Sequence, residues 1–420
     1  MTDTAPSRPQ GLRAFAAVTA AYWAFMLTDG ALRMLVLLQF NILGFTPIQL
    51  AYLFLLYEVA GIATNLAAGW IAARFGLAST LYAGLVLQVG ALLALAAFDP
   101  GWPVVASVVF VMAVQGVSGV AKDLAKMSSK SAVKVLAPER DGALFRWVAA
   151  LTGSKNAVKG LGFLLGAALL ALFGFTASVL GMAAILAAIL IAVALFLPPG
   201  LPPGKKDTKF SEVFSKNPAI NRLSAARMFL FGARDVWFVV GIPIYFYAVL
   251  TDGTDESRRT AFFIIGAFMA VWIILYGAVQ ASAPAILRAT GKPLADVARI
   301  ASRWAGILTL IPAALTLAAL ASPGPADWLT AVLVGGLLVF GFVFAVNSSV
   351  HSFLILALTR ADRVTMDVGF YYMANAAGRL LGTLLSGVSY QVGGLPLCLG
   401  TAAVMAGLSW LLARTLAART

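Results

Sequence analysis

Basic side chains interrupt apolar stretches of this sequence that are long enough to cross a membrane. One base at the centre of a membrane helix costs roughly 2.5–3.5 kcal/mol. Eight would cost on the order of 20 kcal/mol, which exceeds the net stability of about 5–15 kcal/mol of a typical protein. These bases therefore need acidic partners or a water-filled cavity. They are Arg33, Lys122, Lys126, Lys155, Lys159, Arg227, Arg234 and Arg379.

The spacing of these residues indicates one shared cavity. Residues three, four or seven positions apart lie on the same face of a helix, so each such pair forms a polar stripe rather than scattered charge. Pairs of this kind are Lys122 and Lys126, Lys155 and Lys159, Asn375 and Arg379, and Arg227 and Arg234.

Fewer acidic residues occupy the same stretches, namely Asp29, Glu58, Asp123, Asp235 and Asp367. Ion pairing inside the bundle is the alternative to a ligand site, and Asp29 could neutralise Arg33 four residues away. Either Arg227 or Arg234 could likewise pair with Asp235 or Asp29. The acids are too few to pair with every base, which leaves the more central bases for a ligand.

Three further sets of residues have two interpretations each. Glu58 could carry a coupling proton or could pair with a base. Lys122 and Lys126, with Asp123, could close a gate or extend toward the membrane surface. His351 could relay a proton or pack against a neighbouring helix through a hydrogen bond.

Arginine suits a phosphate-like or carboxylate group because its planar fork donates two hydrogen bonds at once. Several arginines and lysines together suit a small multivalent oxyanion, and their repulsion would exclude a lipophilic cation. We therefore predict a site that binds such an anion and a second set that couples or gates. The predicted binding residues are Arg33, Lys155, Lys159, Arg227, Arg234, Arg379, Asn375 and Asn347. The predicted coupling or gating residues are Asp29, Glu58, Asp235, Lys122, Asp123 and Lys126.

The composition indicates a membrane protein, so the segments that carry these residues must cross a lipid bilayer. The 420 residues are 61% hydrophobic and 11% charged, whereas soluble domains have roughly 25% charged residues. We predict an all-α fold with twelve transmembrane helices, each about 20 residues or longer. The spans lie near 14–39, 47–72, 78–98, 102–127, 144–172, 175–197, 219–249, 260–283, 301–321, 327–356, 364–391 and 394–415.

The formal charge of +13 is concentrated in alternate loops. Basic residues favour cytoplasmic loops, which places both termini in the cytoplasm and explains the charge without a nucleic-acid partner. The single cysteine, Cys398, excludes a disulfide framework. No metal-ligand spacing, phosphate-binding loop or nucleophile motif occurs, so we expect no enzyme activity, no metal and no cofactor.

A polar stretch divides the chain into an N-terminal six-helix half at 1–197 and a C-terminal six-helix half at 219–420, joined by a cytoplasmic linker loop at 198–218. The halves resemble each other, since Asn156-Ala157 in the fifth span corresponds to Asn375-Ala376 in the eleventh. Two such repeats are typical of secondary transporters and favour the major facilitator fold. Glycines such as Gly162 and Gly382 would permit close helix approach.

Four segments carry a more specific resemblance, to the ArsJ organoarsenical efflux permeases of the major facilitator superfamily. They are YWAFMLTDGALRMLVLLQF (22–40), GVSGVAKDLAKMSSKSAVKVL (116–136), WVAALTGSKNAVKGLGFLLGAALL (147–170) and FSKNPAINRLSAARMFLFGARDVWFVV (214–240). The resemblance implies export of 1-arseno-3-phosphoglycerate, which a glyceraldehyde-3-phosphate dehydrogenase forms from arsenate. It also implies arsenate resistance and a place in a bacterial inner membrane. We expect a monomer in the lipid bilayer.

The residues alone predict only a small polyanion, so two alternatives stay open. An organophosphate/phosphate exchanger of the same fold would use a similar basic cavity. A non-transporting membrane receptor is the second alternative, although no soluble sensing domain can be found in the sequence.

Overall fold

A computed structural model of the protein describes residues 8–136, 143–196, 215–287, 293–322, 324–359 and 364–417. Within these ranges the chain is helical and contains no strand. The helices are Arg8–Ile42 (α1), Pro47–Leu53 (α2), Leu55–Phe75 (α3), Leu77–Ala96 (α4), Val104–Leu136 (α5), Ala143–Phe173 (α6), Phe175–Phe196 (α7), Pro218–Val236 (α8), Ile242–Leu250 (α9), Asp255–Leu287 (α10), Leu294–Ala321 (α11), Asp327–Leu358 (α12) and Val364–Ala417 (α13).

The described residues contain eleven helical segments that are long and apolar enough to cross a membrane. The last of them, Gly369–Leu416, has 48 residues, about 72 Å at 1.5 Å per residue, more than twice the roughly 30 Å hydrocarbon core. It contains a break at Gly393–Gly394, where Gly394 has φ 62°, a conformation that favours glycine. The segment thus holds the two last predicted spans, and the predicted all-α membrane architecture is confirmed.

A π-helical turn at Trp237–Gly241 joins α8 to α9 within one span. Pro243, two residues after this turn, has no backbone N–H to donate. The backbone N–H groups of Val240 and Gly241 donate to Ser386 Oγ, each at 3.2 Å. Cys398 is buried and donates to the carbonyl of Val236.

Two helix pairs approach closely through glycine, at Gly30, which the sequence reasoning does not single out, and at Gly382, which it does. A Cβ at Gly30 of α1 would lie 2.6 Å from the carbonyl oxygen of Lys159 in α6. A Cβ at Gly382 of α13 would lie 2.7 Å from that of Gly232 in α8. Glycine is therefore needed at both crossings, which join the first span to the fifth and the seventh to the eleventh.

The helices of the two predicted halves meet at the end that carries the α1–α2 connection. Ile48 N donates to Gln391 Oε1 at 3.2 Å, and a Cβ at Gly387 would lie 2.6 Å from the carbonyl oxygen of Pro47. The predicted orientation places this end away from the cytoplasm.

The boundary between the predicted halves, at residues 198–214 of the linker, lies outside the described residues. The same holds for most residues of the loops whose basic charge motivates the predicted orientation. The division at 1–197, 198–218 and 219–420 therefore stays a prediction.

Candidate functional site

A cavity of about 250 Å³ lies between the helices of the two predicted halves. All eight basic residues that the sequence places inside spans line this one cavity. They come from helices α1, α5, α6, α8 and α13. These residues are Arg33, Lys122, Lys126, Lys155, Lys159, Arg227, Arg234 and Arg379.

Acidic residues offset only part of this charge. Glu58, Asp123 and Asp235 line the cavity, and Asp29 is buried beside it with an ion pair to Lys159. Eight bases against these four acids leave a formal excess of four positive charges among the described residues. Asp367 is buried away from the cavity and accepts a hydrogen bond from Thr359 at 2.6 Å.

Asp29 has partners other than the one its spacing suggests. Its Oδ2 lies 3.4 Å from Lys159 Nζ, and its Oδ1 accepts a hydrogen bond from Tyr57 OH at 2.6 Å. Arg33, four residues along α1, instead pairs with Glu58 at 3.2 Å. The possible Asp29–Arg33 pair is therefore replaced by pairs between different helices.

Glu58 is fully buried on α3 and accepts two basic partners on the same oxygen. Oε1 lies 3.2 Å from Arg33 Nη2 and 2.5 Å from Arg379 Nη2. Of the two interpretations of Glu58, this geometry favours pairing with bases.

Asp235 continues the same network in the C-terminal part of the chain. Its Oδ1 accepts a hydrogen bond from Arg234 Nε at 2.6 Å, and its Oδ2 lies 3.6 Å from Arg379 Nε. Arg379 thus contacts both Asp235 and Glu58. The result is a continuous chain of alternating charges across the cavity, from Arg33 to Arg234.

Arg227 is held by neutral groups. Its Nε donates to Asn375 Oδ1, and its Nη1 donates to the carbonyl and hydroxyl oxygens of Ser348, all at 2.9 Å. Asn375, which the sequence predicts as a binding residue, therefore orients Arg227 and also lines the cavity. Gln280 donates to the same Ser348 hydroxyl at 3.3 Å.

Aromatic rings support the arginines on α8, a feature that the sequence reasoning missed. The guanidinium carbons of Arg227 and Arg234 lie 4.1 Å and 4.9 Å from the centroid of the Phe231 ring. Phe344 also contacts Arg234, at 5.5 Å. Phe231 lies four residues after Arg227 and three before Arg234, so its helical spacing could have indicated this sandwich.

The predicted gate residues on α5 lie in the cavity wall. Lys126 Nζ donates to Asp123 Oδ1 and to Asn65 Oδ1, both at 2.5 Å. Lys122 Nζ lies 4.0 Å from the centroid of the Tyr57 ring. These contacts bind α5 to α3 and place both lysines against the cavity rather than at the membrane surface.

Asn347 and His351 have a different environment from the basic residues. Both are fully buried on α12, four positions apart, and neither belongs to the described cavity lining. Neither side chain has a hydrogen-bond partner within the described part of the chain. The expected bond from His351 to a neighbour is therefore not found there, and a binding role for Asn347 stays a prediction.

The described residues contain no group of three or more His, Cys, Asp or Glu side chains that could hold a metal ion. The Lys, Arg and Asn side chains that line the cavity offer charge pairing and hydrogen bonding. Such groups can bind and release an anion, and their arrangement at the meeting point of two helix sets is suited to transport.

Comparison with known proteins identifies the fold. A family model described as Major Facilitator Superfamily matches residues 14–294. Crystal structures of a point mutant of the nucleoside transporter NupG and of an inward-facing bacterial homologue of the iron transporter ferroportin are similar to this chain. They have TM-scores of 0.69 and 0.71 and identities of 18% and 14%, and each alignment covers 97% of this chain and 99% of the other.

A third similar structure is a POT family transporter in complex with 5-aminolevulinic acid. It has a TM-score of 0.69 and 15% identity over 95% of each chain. No curated protein matches the chain significantly. The three descriptions name a nucleoside transporter, a homologue of an iron transporter and a complex with 5-aminolevulinic acid. At these identities the similarity establishes the fold and does not identify the cargo of this chain.

Proposed function

Because this chain belongs to the major facilitator superfamily and is a multi-pass membrane transporter rather than an enzyme, we propose that its cargo is a small organic polyanion. The observation that carries the proposal is the excess of four positive charges around one cavity. Buried charge of one sign is costly unless a ligand of the opposite sign compensates it. Membership of a transporter family also sets aside the receptor alternative.

The size of the cavity supports a small cargo. Pockets for drug-sized ligands have volumes of about 300–1,000 Å³, and this cavity has about 250 Å³. The sign of its charge disfavours cationic drugs, since they would be repelled. A metabolite with two anionic groups on a short carbon chain fits both properties.

The two anionic groups would bind at different ends of the cavity. We assign one end to Arg33, Lys155 and Lys159, and the other to Arg227, Arg234 and Arg379. The ring of Phe231 lies between the guanidinium groups of Arg227 and Arg234 on α8. It supports this division because it fixes the spacing of these two groups. Asn375 assists by orienting Arg227.

The resemblance to ArsJ permeases narrows the cargo to 1-arseno-3-phosphoglycerate, which has an acyl arsenate at one end of its three carbons and a phosphate ester at the other. A glyceraldehyde-3-phosphate dehydrogenase would supply it in the cytoplasm. Export across a bacterial inner membrane would then confer arsenate resistance. A negative-inside membrane potential favours the exit of an anion, so export needs no proton coupling.

Alternating access would follow from rocking of the two halves, 1–197 and 219–420, about the cavity. The contact between Ile48 and Gln391 would then open on the outward-facing stroke. The Glu58–Arg379 ion pair also joins the two halves and lies at the cavity itself.

Uptake into everted membrane vesicles tests the proposal. The cytoplasmic face of such vesicles is outside, so uptake corresponds to export. We expect uptake of label when dehydrogenase, NAD⁺, arsenate and ³²P-labelled glyceraldehyde-3-phosphate are supplied together, and none when arsenate is omitted. Persistence of uptake after the proton gradient is collapsed would support export without proton coupling.

Cavity variants make the test specific. Arg234→Ala and Lys159→Ala should abolish uptake, whereas Arg299→Ala, which alters an exposed ion pair with Asp296, should not. If vesicles transported labelled phosphate esters equally well without arsenate, the organophosphate exchanger would be the better description. Normal uptake by both cavity variants at normal protein levels would contradict the proposal.

A further inference from the structure

We propose that Glu58 is a built-in counter-anion that the cargo displaces and that allows the empty carrier to return. This inference deepens the proposed transport of a polyanion and depends on it. Between transport cycles, when no cargo is bound, the Glu58 carboxylate would neutralise part of the positive charge of the cavity. The observations that carry it are the partners of Glu58, the charge balance around it and its position between the two halves.

The first observation is that Glu58 forms ion pairs with Arg33 and Arg379, two arginines that a cargo oxyanion would also bind. One carboxylate oxygen, Oε1, contacts both Arg33 Nη2 and Arg379 Nη2, at 3.2 Å and 2.5 Å. Both arginines line the cavity. The other oxygen, Oε2, is buried and has no hydrogen-bond partner among the described residues. A phosphate-like group offers more acceptor oxygens and a larger charge than this half-used carboxylate, so it can replace Glu58 at the arginines.

The second observation is the charge balance. The cavity and its immediate partners carry eight bases and four acids. Loss of the Glu58 charge would leave five unbalanced positive charges in the empty cavity, because three acids would remain. Uncompensated buried charge is strongly unfavourable. The empty carrier needs Glu58 most in the occluded state, when the cavity is closed to water at both ends.

The third observation is the position of the ion pair. Glu58 lies on α3 in the N-terminal half, and Arg379 lies on α13 in the C-terminal half. A pair that joins the halves is affected by their rocking. When cargo occupies Arg379, Glu58 is released and the loaded carrier moves with the cargo as its counter-anion. When no cargo is present, Glu58 takes that role.

Net efflux and exchange are two transport modes that use the same cavity. Net efflux requires the return of the empty carrier, whereas exchange requires only loaded carriers. Glu58→Gln preserves the shape of the side chain and removes its charge. We therefore expect this variant to lose net efflux and to keep exchange.

The experiment compares uptake of the ³²P-labelled arsenylated product into everted vesicles of two kinds. One kind has an empty lumen, and the other is loaded with the unlabelled dehydrogenase reaction mixture. For Glu58→Gln we expect uptake into empty vesicles to fall at least about tenfold, as for loss of one partner of a buried ion pair. Uptake into loaded vesicles should stay within about twofold of the unmodified protein.

Two further variants keep the test informative if Glu58→Gln is poorly folded. Glu58→Asp retains the charge and should recover part of the net uptake. The double variant Glu58→Gln/Arg33→Gln restores the charge balance and should raise the ratio of net uptake to exchange above that of Glu58→Gln. Purified protein levels and melting temperatures establish that each variant is folded.

The outcomes separate this inference from the proposed function. Failure of the unmodified protein to take up the product in either vesicle type would overturn the proposed function and this inference with it. Normal uptake by the unmodified protein, together with equal losses of net uptake and exchange in Glu58→Gln, would overturn the inference alone. So would unchanged net uptake in that variant.

Discussion

Arg379 Nη2 lies 2.5 Å from Glu58 Oε1, although 321 residues separate the two positions in the chain. The contact joins α13 to α3 at the cavity, and Arg379 also reaches Asp235 through Nε at 3.6 Å. One guanidinium group thus connects an acid in each predicted half. Arg379 therefore pairs with Glu58 of α3 and with Asp235 of α8 at the same time.

Replacement of Arg379 by lysine tests whether this two-sided contact matters. A lysine has a single ammonium group on a flexible stem and cannot reproduce the fork of an arginine. We expect Arg379→Lys to lower the rate of export at least about tenfold, equivalent to ~1.4 kcal/mol. Vesicle uptake of the arsenylated product measures the change.

A matched control is Arg299→Lys, at an exposed arginine that pairs with Asp296 at 2.9 Å. It should leave uptake unchanged. Because Glu58 keeps Arg33 and Asp235 keeps Arg234 in Arg379→Lys, the protein should still fold. An Arg379→Lys protein with full activity would show that positive charge alone suffices at this position.

Phe231 provides a second test because its ring contacts two arginines without any charge of its own. Cation–π contacts contribute about 0.5–2 kcal/mol each, so Phe231→Leu should leave Arg227 and Arg234 less well oriented. We expect a KM for export that is raised several-fold, with a smaller effect on the maximal rate. Concentration-dependent uptake in vesicles measures both.

Phe263→Leu is the control for loss of a ring, since Phe263 is 37% exposed on α10 and lies outside the described cavity lining. Its KM should match that of the unmodified protein. An unchanged KM in Phe231→Leu would mean that the arginines hold their positions through Asn375, Ser348 and Asp235 alone.

The glycine crossings yield a stability prediction. A methyl group at Gly30 would lie 2.6 Å from the carbonyl oxygen of Lys159, and one at Gly382 would lie 2.7 Å from that of Gly232. Backbone must move to accept either, and overpacking costs about 1–3 kcal/mol. Gly30→Ala and Gly382→Ala should therefore lower the melting temperature in detergent.

Gly181→Ala is the matched control, because a Cβ at Gly181 of α7 meets nothing within 4 Å. Alanine stabilises a helix by up to about 1 kcal/mol relative to glycine, so this variant should melt at the same or a higher temperature. A similar decrease for all three variants would refute the assignment of Gly30 and Gly382 to tight crossings.

A substitution at His351 tests whether this residue has a structural role or relays a proton. It is fully buried, and neither ring nitrogen has a hydrogen-bond partner in the described ranges. A buried polar group without a partner costs about 1–3 kcal/mol. We expect His351→Leu to keep export activity and to melt no lower than the unmodified protein, as measured by vesicle uptake and by thermal unfolding in detergent. Loss of uptake in a well-folded His351→Leu protein would instead support the relay.

Much of the architecture could be predicted from local composition. The cost of charge in a lipid environment depends on residue type, so eight bases in apolar stretches had to face a common interior, and all eight line one cavity. Spacing on single helices indicated the correct faces, as for Lys155 and Lys159. The spans were also predictable, because their length is set by the thickness of the membrane.

The partner of each charge could be decided only by the tertiary structure. The spacing of Asp29 and Arg33 suggests a pair on one helix, but Asp29 binds Lys159 of α6 and Arg33 binds Glu58 of α3. The ring of Phe344 reaches Arg234 from a different helix, α12. Helical periodicity shows which residues share a face, whereas ion pairs depend on which faces meet. Which faces meet is decided where helices far apart in sequence cross, as at the close approach of Gly30 in α1 to the backbone carbonyl of Lys159 in α6.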